Sequence, residues 1–220
     1  MKQQELTRWI QSIVYSLVIF VFFSIYLYLR RGFYNLYIIN KVFGSTAAVL
    51  AGLTLLIGPL SKRFRYFSHL MTIRRQLGLV AFGLAIAHIF ASLIQQNRFS
   101  FPAWYTNELF PVAAGFVATG IWVYMAYISR NTKIKEMGAQ LWKKRLSIAG
   151  KVSFFAIFLH LVVMKYQGWI RWFQGQVKQT PELANPSYPP ASLFVFAIML
   201  GIIVYRIIAD YVIRKSTDET

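Results

Sequence analysis

The chain has 220 residues, 57% of them hydrophobic and 14% charged, with a mean hydropathy of +0.48. That balance is too apolar for a soluble globular domain, and the length suits one compact bundle with no second globular unit. A formal net charge of +17 would point a soluble protein toward nucleic acid; here Lys and Arg sit between long apolar runs, so membrane topology accounts for it and no nucleic acid is expected. With no cysteine in the chain, Cys-ligated iron–sulfur clusters, zinc–thiolate sites, covalently attached c-type haem and disulfides are excluded.

In chain order, Lys2 and Arg8 precede an apolar run from Trp9 to Leu29. The run is too long for the apolar part of a signal peptide and ends at Arg30 and Arg31 without a small-residue cleavage site, so a retained first span is expected. Further runs of spanning length lie at about 42–61, 77–96, 109–128, 152–170 and 192–213. The expected fold is therefore all-α, a polytopic membrane bundle of six transmembrane helices forming a single domain over 1–220. Of the 24 Lys and Arg, 16 would fall on the side of the N-terminus, 7 on the other side, and Arg206 within the last span. That bias places both termini in the cytoplasm.

Trp104, Tyr105, Trp142, Trp169 and Trp172 stand at span edges and read as interfacial belts. The basic segment 129–151 spaces Ile134, Met137, Leu141 and Trp142 as a helix lying along the membrane surface. Segment 171–191 holds Pro181, Pro186, Pro189 and Pro190 and reads as an extended loop. Asp210 follows Arg206 by one helical turn, a spacing that pairs them on the helix surface.

His88 and His160 lie inside the third and fifth spans, where an imidazole is costly unless its nitrogens find partners. Counted from the start of each apolar run, both fall near the middle of a hydrocarbon core about 30 Å thick. They can then serve one object from opposite sides. Ala81, Ala85, Ala91 and Ser92 flank His88, with Gly78 further along, and His160 has Ser153 and Ala156 on one side and Val163 and Met164 on the other; the small side chains leave room for a flat macrocycle. Two His make a poor zinc site, which wants three or four ligands. Haem brings four equatorial nitrogens and asks the protein for two axial ones. The same residues also suit a plainer role in which each His joins two helices and Ala lets backbones approach. His69 lies in a basic loop and reads as solvated. No nucleophile–base constellation appears, and no catalytic residue is assigned.

The segments Asn40-Lys41-Val42-Phe43-Gly44, Gly58-Pro59-Leu60-Ser61-Lys62 and Arg74-Arg75-Gln76-Leu77-Gly78-Leu79, then His88, Trp142 to Leu146 and His160, resemble the ferric reductase-like transmembrane domain family. Within it, the likeness is to the haem-binding membrane subunits of periplasmic methionine-sulfoxide reductase systems, and it covers residues 38–165. The resemblance implies a b-type cytochrome of the bacterial cytoplasmic (inner) membrane, the electron-transfer subunit of an oxidoreductase system, passing electrons to a periplasmic or outer-side acceptor. It implies His88 and His160 as the axial ligands of haem b. In two-haem relatives a second pair of His stands about thirteen residues earlier on each helix. Here those places read Arg74 or Arg75 and Ser147, so one haem is expected. The chain leaves no room for a flavin or nicotinamide domain, so the expected donor is a separate flavoprotein reductase or membrane quinol, with any flavin carried by that partner. Lys41, Arg98, Lys165 and Arg171 are available on the outer side for haem propionates. Two further readings stay open: a ferric or quinone reductase acting directly on a diffusible acceptor, and a cofactor-free membrane carrier or assembly protein.

Overall fold

The computed structural model describes residues 2–95 and 109–218. Six long helices are each apolar enough to cross a membrane. They are α1 (Lys2–Arg31), α2 (Leu36–Arg63), α3 (Arg74–Gln95), α4 (Leu109–Ile128), α6 (Ala139–Phe173) and α7 (Ala191–Asp218). A 3-10 helix (Arg65–Thr72) joins α2 to α3, and a short α5 (Asn131–Met137) joins α4 to α6. Among the described residues the only β pairing is an isolated bridge between Thr180 and Leu183. Six crossings bring both ends of the chain to one end of the bundle, together with the 3-10 helix and α5. We term this the terminal end; residues 32–35 and 174–190 connect helices at the far end.

α2 is the hub. Its most apolar stretch is 56% buried, against 17–22% for the other five, whose apolar faces are left for lipid. The cause is a run of small residues, Gly44, Ala47, Ala48, Ala51 and Gly52, that lets neighbouring backbones come close. At Gly52 a β-carbon would stand 2.5 Å from Cδ1 of Ile202 on α7 and 3.2 Å from the Phe154 ring on α6. Val42, Leu50, Leu55, Leu77, Phe154 and Met199 fill the core around it. This hub role went unforeseen in the sequence, although the small-residue run signals it.

Pro59 lies inside α2 and has no N–H to offer the carbonyl one turn earlier, that of Leu55. Arg206 of α7 reaches that carbonyl through Nη1 at 3.5 Å, and Arg74 of α3 donates from Nε to the adjacent Thr54 carbonyl at 2.6 Å. Arg206 also pairs with Asp210 at 3.2 Å, as their spacing predicts, and Asp210 takes a second partner, Lys151 of α6, at 2.5 Å. Arg206 thus serves the carbonyl that proline leaves without a donor, and Arg74 adds a second cationic contact at the residue before it.

At the far end, segment 174–190 is docked rather than merely extended. The last carbonyls of a helix have no partners within it. Here Asn185 Nδ2 donates to the Leu29 carbonyl at 2.6 Å, and the Asn185 and Ala184 amides donate to Arg30 and Arg31 carbonyls at 3.0 and 3.4 Å. The buried Arg30 returns a bond from Nε to the Tyr188 carbonyl at 2.9 Å, and Tyr26 Oη donates to the Pro189 carbonyl at 2.5 Å. Gly32 makes the approach feasible: its φ is +82°, and a β-carbon there would meet Cβ of Ala184 at 2.9 Å.

Two expectations are corrected. Segment 129–151 is not one surface helix: α5 ends at Gly138, whose φ of +74° breaks it, and from Ala139 the chain is already the start of α6. Lys, Arg and Gln are good helix formers, so a helix runs on where hydropathy falls. Trp169 is no lipid-facing belt residue; it is buried against Phe196 with centroids 4.9 Å apart and donates to Ser192 Oγ at 2.9 Å. Trp172 stays half-buried at the same end of the bundle and donates to the Pro186 carbonyl at 3.2 Å. Trp104, Tyr105 and Arg98 lie outside the described residues.

Candidate functional site

His88 projects from α3 toward α2, where its Nδ1 bonds the backbone carbonyl of Asn40 at 3.0 Å. His160 projects from α6 toward α4, where its Nδ1 bonds the carbonyl of Pro111 at 2.7 Å. The two sockets are built alike. One turn beyond each acceptor stands a glycine, Gly44 or Gly115, whose missing β-carbon leaves space for the ring. A β-carbon would lie 3.1 Å from Nδ1 and Cε1 of His88 in the first case, and 3.3 Å from Nδ1 of His160 in the second.

The hydrogen bonds also assign the protons. A carbonyl only accepts, so each Nδ1 carries the hydrogen and each neutral Nε2 keeps its lone pair. Among the described residues, neither Nε2 has a hydrogen-bond partner. This is the tautomer a metal-ligating imidazole needs, with the orienting bond on the other nitrogen. His88 is held further by its surroundings. The buried Asn40 donates from Nδ2 to Ser92 Oγ at 2.9 Å and to Gln95 Oε1 at 3.2 Å, which fixes α2 against α3 in the turn next to the ring. Asn40, Pro111 and Gly115 did not stand out in the sequence as site residues. The signal available was a glycine placed opposite each histidine.

The two rings are within electrostatic reach of each other, and Lys165, just over one turn beyond His160, is within reach of both. Along the helices, Asn40, the acceptor of His88, is in the second turn of α2, and His160 stands thirteen residues before the end of α6 at Phe173. His69 is exposed on the 3-10 helix, with Nδ1 bonded to the Tyr66 carbonyl at 2.7 Å.

Among the described residues, no group of three or more His, Cys, Asp or Glu could hold a metal ion. A bare transition-metal ion wants more ligands than two imidazoles, whereas a haem iron lacks only two. The residues present fit a haem on three counts: the tautomer, the free Nε2 of each ring, and the proximity of the rings. They fit a cofactor-free helix joint on one count, since each Nδ1 bond ties two helices together. Of the cations named for propionates, Lys41 and Lys165 lie within reach of one another, Arg171 is exposed and bonds its own helix at Gln167, and Arg98 is outside the described residues. No family model matches the chain, and no curated protein shows significant similarity to it, so the likeness to the ferric reductase-like family rests on the residues quoted above alone.

Proposed function

We propose that this chain is a b-type cytochrome subunit of the bacterial inner membrane that relays electrons from a cytoplasmic-side donor to an acceptor beyond the bilayer. The observation that carries the reading is the matched pair of sockets, in which a backbone carbonyl holds Nδ1 of His88 and of His160 and leaves each Nε2 unbonded. A haem with both axial positions filled exchanges single electrons and offers no open site for oxygen or substrate. The chain's own part is to orient two imidazoles, hold a proton on each Nδ1 and exclude water with apolar helices. The excess of Lys and Arg at the terminal end supports placing that end in the cytoplasm. The donor in this reading is a separate flavoprotein reductase or quinol, and the acceptor a periplasmic oxidoreductase.

The test is a pyridine-haemochrome assay and reduced-minus-oxidised spectrum of detergent-solubilised protein. About one haem b per chain and a low-spin spectrum are expected, with haem lost in His88→Ala and in His160→Ala. Folded protein without haem would leave the helix-joint reading in its place.

A further inference from the structure

We infer that Lys41 binds a carboxylate of the molecule held between His88 and His160, which fixes that molecule with its acidic edge toward the far end. The inference rests on the haem reading above, and it names the residue that would receive a propionate. Lys41 follows Asn40, whose carbonyl holds His88, so its position is tied to the socket by one peptide unit. It is half-buried, and its ammonium sits over the Tyr37 ring, 3.8 Å from the centroid, bonded to Tyr37 Oη.

No carboxylate among the described residues pairs with it. Instead Arg30, Arg31 and Lys165 all lie within electrostatic reach of Lys41. Arg31 crowds the same ring, with its guanidinium carbon 5.3 Å from the Tyr37 centroid and Nη2 bonded to Tyr37 Oη at 3.3 Å. Like charges gathered around a half-buried ammonium favour an anion there. Arg30 and Arg31 are already spent on far-end carbonyls, at Tyr188 and Glu182. Among the described residues Lys41 bonds a neutral phenol, and Lys165 is within electrostatic reach of both imidazoles. A dicarboxylate such as haem, if held by His88 and His160, would find cationic partners for its acids in this cluster.

The experiment reconstitutes the haem-free full-length protein in detergent with haem or with haem dimethyl ester, which keeps the macrocycle and iron but carries no carboxylate. Wild type is expected to bind haem about tenfold more tightly than the ester, the scale of one charge-assisted hydrogen bond. Lys41→Met should erase that preference while still binding the ester as wild type does, and Lys41→Arg should keep it. The ester arm on wild type needs no substitution, so a misfolded variant does not decide the outcome. Equal binding of haem and ester by wild type overturns the inference and leaves the haem reading standing. Binding of neither overturns both.

Discussion

Gly44 of α2 and His88 of α3 touch so closely that a single added carbon atom would press on the imidazole. The ideal β-carbon stands 3.1 Å from both Nδ1 and Cε1, tighter than ordinary contact, and the ring is also tethered at Asn40 and so has little freedom to retreat. Gly44→Ala should therefore shift His88, and Gly44→Val should expel it. Overpacking of this kind costs about 1–3 kcal/mol. On the haem reading, cofactor retention should fall about fivefold or more in Gly44→Ala and vanish in Gly44→Val. Gly83→Ala and Gly120→Ala, where a β-carbon meets nothing within 4 Å, should retain wild-type content. Equal retention in all four variants would show that the socket does not grip a ligand.

The hub gives a prediction about stability alone. Gly52→Ala drives a methyl to within 2.5 Å of Cδ1 of Ile202, the far end of a flexible side chain. A loss of about 1–2 kcal/mol is expected, lowering the thermal midpoint by about 4 °C for a chain of this size. Ile202→Val removes the offending atom and should return most of the loss in the double variant, read as a double-mutant cycle by scanning fluorimetry.

How far the sequence carries can be judged at these same positions. Six spans are legible because about twenty apolar residues in a row have few other uses, and the Arg206–Asp210 pair is legible from one helical turn of spacing. His88 and His160 announce themselves by polarity in an apolar run. Their acceptors do not, since a backbone carbonyl has no sequence signature, and any residue could have stood at Asn40 or Pro111 to supply one. The start of α6 at Ala139 was hidden for a related reason: hydropathy marks where lipid begins, whereas helices end where caps and glycines such as Gly138 allow.

The far-end seal predicts a site of local failure. Asn185→Ala deprives the Leu29 carbonyl of its donor, and about 1–2 kcal/mol should be lost. The effect should be local, so limited proteolysis within residues 174–190 is expected to quicken several-fold before any change in the global midpoint. Gly32→Ala should do more, combining a strained positive φ with a clash at Ala184, and Ala184→Gly should relieve only the clash.

At the terminal end Lys151 and Arg206, which both pair with Asp210, should behave differently. Lys151 is 44% exposed, and Lys151→Met is expected to cost no more than about 0.5 kcal/mol. Arg206 is only 17% exposed and serves both Asp210 and the carbonyl that Pro59 leaves open. Arg206→Met should cost about 2 kcal/mol, and replacing Pro59 by Ala in that background should recover part of it by restoring an amide donor to Leu55. No recovery would mean that the arginine acts only through the ion pair.

The residues that close off α1 come from Glu182 to Pro189, late in the chain, so the last turn of α1 stays incomplete while α2 to α6 are being made. Until that stretch is synthesised and delivered across the bilayer, the carbonyls of Leu29 to Arg31 must rely on solvent or lipid headgroups. Delivery of the segment that follows the fifth crossing thus acts as a latch on the first, and a nascent chain halted before Asn185 would carry all of α1 and yet hold it open.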